Sequence, residues 1–221
     1  MSGLRERNKE RRRQAILEAA LELLRSNDIQ AVTIEQIATR AEVSPPTIYN
    51  LVGTREQLLV ALVDRISQDL AEWFPPPDGA VQDPIGTARR AVDESVAAFV
   101  ADSAAYRQVV RALGDLAVSG SRLSFDPSQL HVSAMRRAQE LGILRADLDP
   151  VALGRQSLLG YVAALNSWAA GGLSDEGFSI AAHHGIATVL AAASSEEHRE
   201  RHLAEFAALG RKLARVSWNR R

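Results

Sequence analysis

Between Val43 and Leu58 the chain reads VSPPTIYNLVGTREQL, and its polar residues are of types that read a nucleic acid duplex. Ile48, Leu51 and Val52 recur at helical spacing, which leaves Pro46, Thr47, Tyr49 and Asn50 on the opposite face. Proline and threonine offer apolar contact to thymine methyls, asparagine pairs with adenine, and a tyrosine hydroxyl reaches a phosphate. Tyr49 could equally shield a small core, and Thr47 could be surface filler. Arg55 bears on that choice. It falls in the first turn of the next helix, where a cation opposes the macrodipole at a cost of ~0.3–1 kcal/mol. An anion held between that helix end and Arg55 would reconcile the placement, and a DNA phosphate is such an anion.

The elements that must position these residues follow from local signals. Thr33 with Gln36 three residues on forms a capping-box pattern ahead of Ile34, Ile37, Ala38 and Ala41. This predicts a helix over 34–41. Pro45 and Pro46 occupy first-turn positions that need no N–H partner, with Ser44 as cap, so a second short helix is predicted over 45–51. Only Glu42-Val43-Ser44 separates the two, the dimensions of a helix-turn-helix whose second helix enters the major groove. Ahead of them Ile16, Ala19, Ala20, Leu23 and Leu24 form an amphipathic helix ended by Asn27-Asp28. Gly53 stops the short helix, and Thr54 with Gln57 opens another that runs to about Phe74.

Farther along, Pro75 to Gly79 (PPPDG) breaks the helical pattern. Asp83-Pro84, Asp126-Pro127 and Asp149-Pro150 each read as a helix start. Gly114 to Phe125 is loop-like, Gly142 ends a helix, and Ser174-Asp175-Glu176 and Ser194-x-x-Glu197 open two more. Nine or ten helices and no strand pattern make the class all-α.

Composition narrows the function classes. The chain has 221 residues, 46% apolar and 24% charged, which suits a folded globular protein. It has no cysteine, which excludes disulfides and thiolate chemistry. No stretch approaches a membrane span, and the basic N-terminus leads into an amphipathic pattern rather than an apolar signal core, so a cytoplasmic location is expected. The net charge of −1 conceals a gradient, and the run Arg5 to Arg13, RERNKERRR, holds six cations and two acids. Such an arm either binds nucleic acid or is a solvated face. His183-His184 lies on neighbouring helical positions with no zincin spacing, so no metal or cofactor is expected. No nucleophile–base pair or phosphate-binding glycine loop points to an enzyme.

The segment VTIEQIATRAEVSPPTIYNLVGTREQLLVALVDRI resembles the DNA-binding region of the TetR family of bacterial transcriptional regulators. The likeness spans about residues 13–66: the Val-Ser turn, Thr-Ile-Tyr, the Gly-Thr-Arg-Glu link and the Leu-Leu run fall in order. It implies a helix-turn-helix DNA-binding domain over 1–57, with a basic N-terminal arm, and a helical effector-binding and dimerisation domain over 58–221. It also implies phosphate contacts from Thr33 and Arg55, and recognition contacts from Ser44, Pro45, Pro46, Thr47, Tyr49 and Asn50. Glu42 departs from the glycine common at that turn, and Leu51 from a common histidine or aromatic residue.

By the same resemblance the function is a homodimeric repressor on a palindromic double-stranded operator, released by a small-molecule effector. The helix from Thr54 to Phe74 is then the natural lever. Pocket candidates are Trp73, Phe99, Tyr106, Gln108, His131, Met135, Tyr161, Asn166 and Trp168, residues that serve equally well as plain core. Small residues on 150–170 and 174–193, among them Gly154, Gly160, Ala163, Ala164, Ala187 and Ala191, together with Leu153, Ile186 and Leu190, suit either a four-helix dimer interface or ordinary core helices. Two other readings stay open: a constitutive DNA-binding dimer without effector, and a small-molecule-binding protein or enzyme that happens to contain a helix-turn-helix.

Overall fold

Local start and stop signals account for most helix boundaries in the computed structural model, which describes residues 2–73, 82–113 and 126–216. Among the described residues there are ten helices: α1 (Ser2–Ser26), α2 (Ile34–Arg40), α3 (Pro45–Leu51), α4 (Arg55–Trp73), α5 (Pro84–Ala101), α6 (Ser103–Leu113), α7 (Ser128–Glu140), α8 (Pro150–Ala169), α9 (Asp175–Ala193) and α10 (Glu196–Leu213). The all-α class is as the sequence reads. The PPPDG break, the loop-like stretch Gly114 to Phe125 and the terminal arginines lie outside the described residues.

Most of the predicted caps form. At α2 the Thr33 N–H donates to Gln36 Oε1 at 2.8 Å, and the Gln36 N–H donates to Thr33 Oγ1 at 3.2 Å. Thr54 and Gln57 repeat the exchange at α4, at 2.8 and 3.3 Å. The three Asp-Pro pairs also work as starts: Asp83, Asp126 and Asp149 accept from the N–H groups of Gly86, Ser128 and Val151. The cap expected at Ser194 does not form. Its hydroxyl is buried, donates to the Leu190 carbonyl and meets Nδ1 of the buried His202, so α10 begins after Ser195 instead. A buried ring nitrogen needs a partner more than an exposed helix end does. The basic run is no loose arm either: α1 is helical from Ser2, because Arg, Lys, Glu and Gln are good helix formers that extend a turn already held by packing.

Packing divides the chain into two compact units, Met1–Ile66 with Asp102–Leu123, and Ser67–Ala101 with Ser124–Arg221. This differs from a division at residue 57. α6 joins the first unit because its side chains are used there, as described below.

In the first unit α1 packs on α2, α3 and α6, and α2 packs on α3. Ile16, Leu17, Ala20, Ile48 and Leu62 are wholly buried in its core. In the second unit α8 packs on α7 and α9, α10 packs on α9, and α5 packs on α7 and α9.

The small residues of α8 and α9 have intramolecular work. A Cβ on Gly160 would lie 3.0 Å from Gly185 Cα, and one on Gly154 would lie 2.5 Å from the backbone of Val132. Ile186, Ala187 and Leu190 on α9 are buried as well. Of the residues that suited either a dimer interface or a core, these serve the core. Ala163 is exposed, and Leu153 and Ala191 are half-buried. No helix among the described residues is long and apolar enough to cross a membrane.

Candidate nucleic-acid interface

The turn between α2 and α3 is built from backbone bonds that end one helix and aim the next. The Val43 N–H reaches back to the Ala38 carbonyl at 2.9 Å and the Glu42 N–H to that of Thr39 at 3.3 Å. This is a Schellman ending, which requires a left-handed residue at the position of Glu42. Glu42 has φ +53°, the one non-glycine residue with positive φ among the described residues. Glutamate thus takes a conformation that glycine would adopt freely, at a strain of about 1 kcal/mol.

α3 then begins at Pro45, with Pro46 behind it in the first turn. The Ser44 hydroxyl caps no N–H; it pairs with the Thr47 hydroxyl at 2.8 Å, so two polar side chains expected to face DNA are oriented by each other. Ile48 is wholly buried and anchors the short helix. Leu51 and Val52 are half-buried beside it. Gly53, at φ +106°, ends it. Pro46, Tyr49 and Asn50 are exposed, Tyr49 to 54%, and Pro45 and Thr47 are half-buried. Thr33, at the start of α2, is exposed as well. With more than half of its surface exposed, Tyr49 belongs to the outer face of α3 rather than to the buried core of this unit.

Arg55 has a partner inside the chain. Its two terminal guanidinium nitrogens donate to the carbonyls of Ile29 and Val32, in the loop between α1 and α2. The cation at the start of α4 therefore uses part of its donor set on these two carbonyls. Gln108 grips the same loop from α6. Its amide donates to the carbonyls of Leu24 (2.9 Å) and Asn27 (3.1 Å) and accepts from the Ile29 N–H (2.7 Å). Beside it Arg25 and Asp102 form a two-pronged pair with both contacts at 2.6 Å, which raises the pKa of Arg25 further. Tyr106, also on α6, lies within 3.4 Å of Arg65, and its burial raises the pKa of its hydroxyl.

Gln108 and Tyr106, named as pocket candidates, therefore sit in the first unit, and Gln108 is a loop clamp. Sequence reading missed that clamp and the Arg25–Asp102 pair. Neither leaves a local signal, because the partners are 77 to 84 residues apart. Arg55→Ala is expected to destabilise the first unit by about 2 kcal/mol, the worth of charge-assisted hydrogen bonds to buried carbonyls. It should leave the salt dependence of DNA binding unchanged. Thermal melts and a salt titration check both halves; a flattened salt slope would restore Arg55 as a phosphate contact.

The remaining pocket candidates divide. Trp73 ends α4, and its side chain lies outside the described residues. Phe99, Tyr161 and Trp168 meet in the second unit around Phe178, which the sequence reading did not single out. Trp168 stacks on Phe178 with centroids 5.2 Å apart, Phe99 meets Trp168 edge-on at 6.2 Å, and Tyr161 meets Phe178 at 5.8 Å. Their polar atoms are satisfied: Trp168 Nε1 donates to Asp175 at 2.7 Å, and the Tyr161 and Ser95 hydroxyls pair. Met135 is fully buried and Asn166 half-buried.

His131 is buried against Ser157, Nδ1 to Oγ 2.9 Å, and burial depresses its pKa from 6.5 to about 4. A histidine held neutral in the fold but free to protonate when unfolded makes the unfolded state bind more protons between those pH values. Stability should therefore fall as pH drops from 6.5 towards 4, by up to ~3 kcal/mol. His131→Gln removes the titration, so the two pH–stability curves should run at a constant offset above pH 6.5 and shift relative to one another below it, in favour of the variant. Parallel curves would contradict the buried neutral ring.

Residues 16–62 match the family model of bacterial regulatory proteins of the tetR family. No curated protein matches the chain. The fold is similar to that of FadR of Thermus thermophilus, a TetR-family transcriptional repressor in complex with lauroyl-CoA, with a TM-score of 0.63 and 20% identity over 80% of this chain and 93% of that one. It is similar, too, to SmeT, the repressor of the Stenotrophomonas maltophilia multidrug efflux pump SmeDEF, with a TM-score of 0.63 and 21% identity over 83% and 91%. A TetR transcriptional regulator from Rhodococcus sp. RHA1 has a TM-score of 0.55 and 16% identity over 82% and 97%.

Proposed function

We propose that this chain, a bacterial regulatory protein of the tetR family by its residues 16–62, is a transcriptional repressor that binds a palindromic operator as a homodimer and releases it when a small molecule binds the second unit. One observation carries the DNA-binding reading: α3 is pinned by the wholly buried Ile48 while Tyr49 and Asn50 face solvent. A seven-residue helix with that division is a rigid reader with nothing of its own to cover its outer face. Ser44, Pro45, Pro46 and Thr47 complete the reading edge, and Thr33 at the α2 start contributes a phosphate contact. Arg55 supports them by holding the α1–α2 loop.

Dimerisation follows from the size of the reader. One short helix covers only a few base pairs, so useful affinity requires two copies on a symmetric site. Leu159 on α8 and Leu203 on α10, 60% and 46% exposed, are apolar residues that a second copy would cover. For the effector, the second unit offers the apolar and aromatic side chains of Phe99, Met135, Tyr161 and Trp168. That the structurally similar Thermus thermophilus protein is in complex with lauroyl-CoA supports a small-molecule ligand and makes that thioester the first probe. A constitutive DNA-binding dimer is favoured by one observation: Met135, Trp168 and Phe178 are already wholly buried, with Trp168 and Phe178 stacked on each other.

Selection of duplexes from a random-sequence library, followed by footprinting, tests the reading. The expected result is a palindromic consensus with two equally protected half-sites, lost on adding an effector. Selection of no consensus, or protection of one half-site alone, would reject the operator-bound dimer. A symmetric footprint that no ligand disturbs would leave the constitutive reading.

A further inference from the structure

We propose that the first half of α1 is a second DNA-binding surface, which clamps the phosphate backbone outside the stretch read by α3. The inference rests on the DNA-binding reading above and concerns residues that lie before the family match, which begins at residue 16.

α1 has two halves with different surroundings. From Ile16 to Leu24 its inward stripe is buried, with Ile16, Leu17 and Ala20 at 0% exposure. From Leu4 to Arg12 every residue is exposed. At 1.5 Å per residue, residues 4–12 are about 13 Å of helix without the burial that holds the rest. The stripe does not fade there; it changes chemistry. Arg5, Lys9 and Arg12 precede Ile16 at spacings of four, three and four, so they continue the face that Ile16 and Ala20 bury. The side that packs on protein within the unit is cationic beyond it.

The acids neutralise at most one cation of this stripe. Lys9 lies 3.8 Å from Glu6, and Glu10 pairs with Arg13 at 3.5 Å. Arg5 and Arg12 have no carboxylate partner among the described residues. The first turn of α1 carries no acid, although that is where acids stabilise a helix and cations do not. A solvated helix would gain from the opposite arrangement. The charge is complementary to a dense, regular anion, and duplex DNA presents one phosphate per ~1.7 Å of axis. Arg5 to Arg12 spans about 10 Å along α1, the rise of about three phosphates on one strand.

The test compares two charge-matched full-length variants, Arg5→Gln with Arg12→Gln on the stripe, and Arg7→Gln with Arg11→Gln on the opposite side of the helix. Each is titrated with salt on the duplex that the wild-type chain selects and on a random duplex, then footprinted. The stripe variant is expected to flatten the slope of log affinity against log salt by about 2 per copy of the chain. It should weaken both duplexes about tenfold or more at low salt and shorten the footprint at its outer ends, with the selected sequence unchanged. The opposite-side variant should keep the wild-type slope within about half of that change. An unchanged slope and footprint in the stripe variant, or equal losses in both variants, overturns the clamp while the α3 reading stands. A wild-type chain that binds neither duplex removes both.

Discussion

Replacing Tyr49 and Asn50 together by alanine is expected to lower affinity for the selected duplex by about two to three orders of magnitude, leaving binding to random duplex nearly intact. Contacts to base edges and their neighbouring phosphates are worth about 1–3 kcal/mol each, and 1.4 kcal/mol is tenfold. Both side chains are exposed, so neither supports the first unit, and the melting transition should move by no more than about 0.5 kcal/mol equivalent. Ile48→Ala makes the contrast one position away. Ile48 is wholly buried, and its loss should cost 2–5 kcal/mol, abolishing binding by unfolding the reader. Footprinting beside circular dichroism separates the two losses. A Tyr49/Asn50 variant that keeps the wild-type footprint would remove α3 as the reader.

A second large effect is expected in the other unit. Gly154→Leu should destabilise it by about 3 kcal/mol or more, because even the first added carbon would lie 2.5 Å from Cα and N of Val132. Overpacking against a side chain costs about 1–3 kcal/mol, since side chains can turn aside. Backbone in the middle of α7 has no rotamer to change, so α7 and α8 must separate. Gln156→Ala on the exposed side of α8 is the control, with a stability change within about 0.5 kcal/mol. Thermal melts measure both, and sedimentation discriminates further. If Gly154 were kept small for contact with a second copy, the substitution would yield a folded monomer; the crossing geometry instead demands loss of folded protein.

Much of the reader was legible in the sequence because its signals are local. The bounds of α3 follow from two prolines in its first turn and one glycine after it, and the α2 and α4 starts follow from capping pairs three residues apart. Glu42 shows the limit of that legibility. The turn required a left-handed residue there, and only the fold shows glutamate accepting it. The cap expected at Ser194 failed for a related reason, since a buried histidine eight residues on claims the hydroxyl.

The sequence by itself determined the all-α class, the helix-turn-helix and the division of α3 into a buried and an outward face. Periodicity, caps and turn chemistry act over three to five residues, and the sequence displays every partner they need. Only the tertiary structure decided which side each long-range group would serve. Arg55 is a cation whose donors suit a phosphate or backbone carbonyls, and two of them meet the carbonyls of Ile29 and Val32. Gln108 suits a pocket or a loop, and it holds the loop. Gly160 permits close approach to any helix, and the one it meets is its own neighbour at Gly185. Hydrogen-bond donors and small residues carry no label naming their partner, so their use is settled only when folding brings distant segments together.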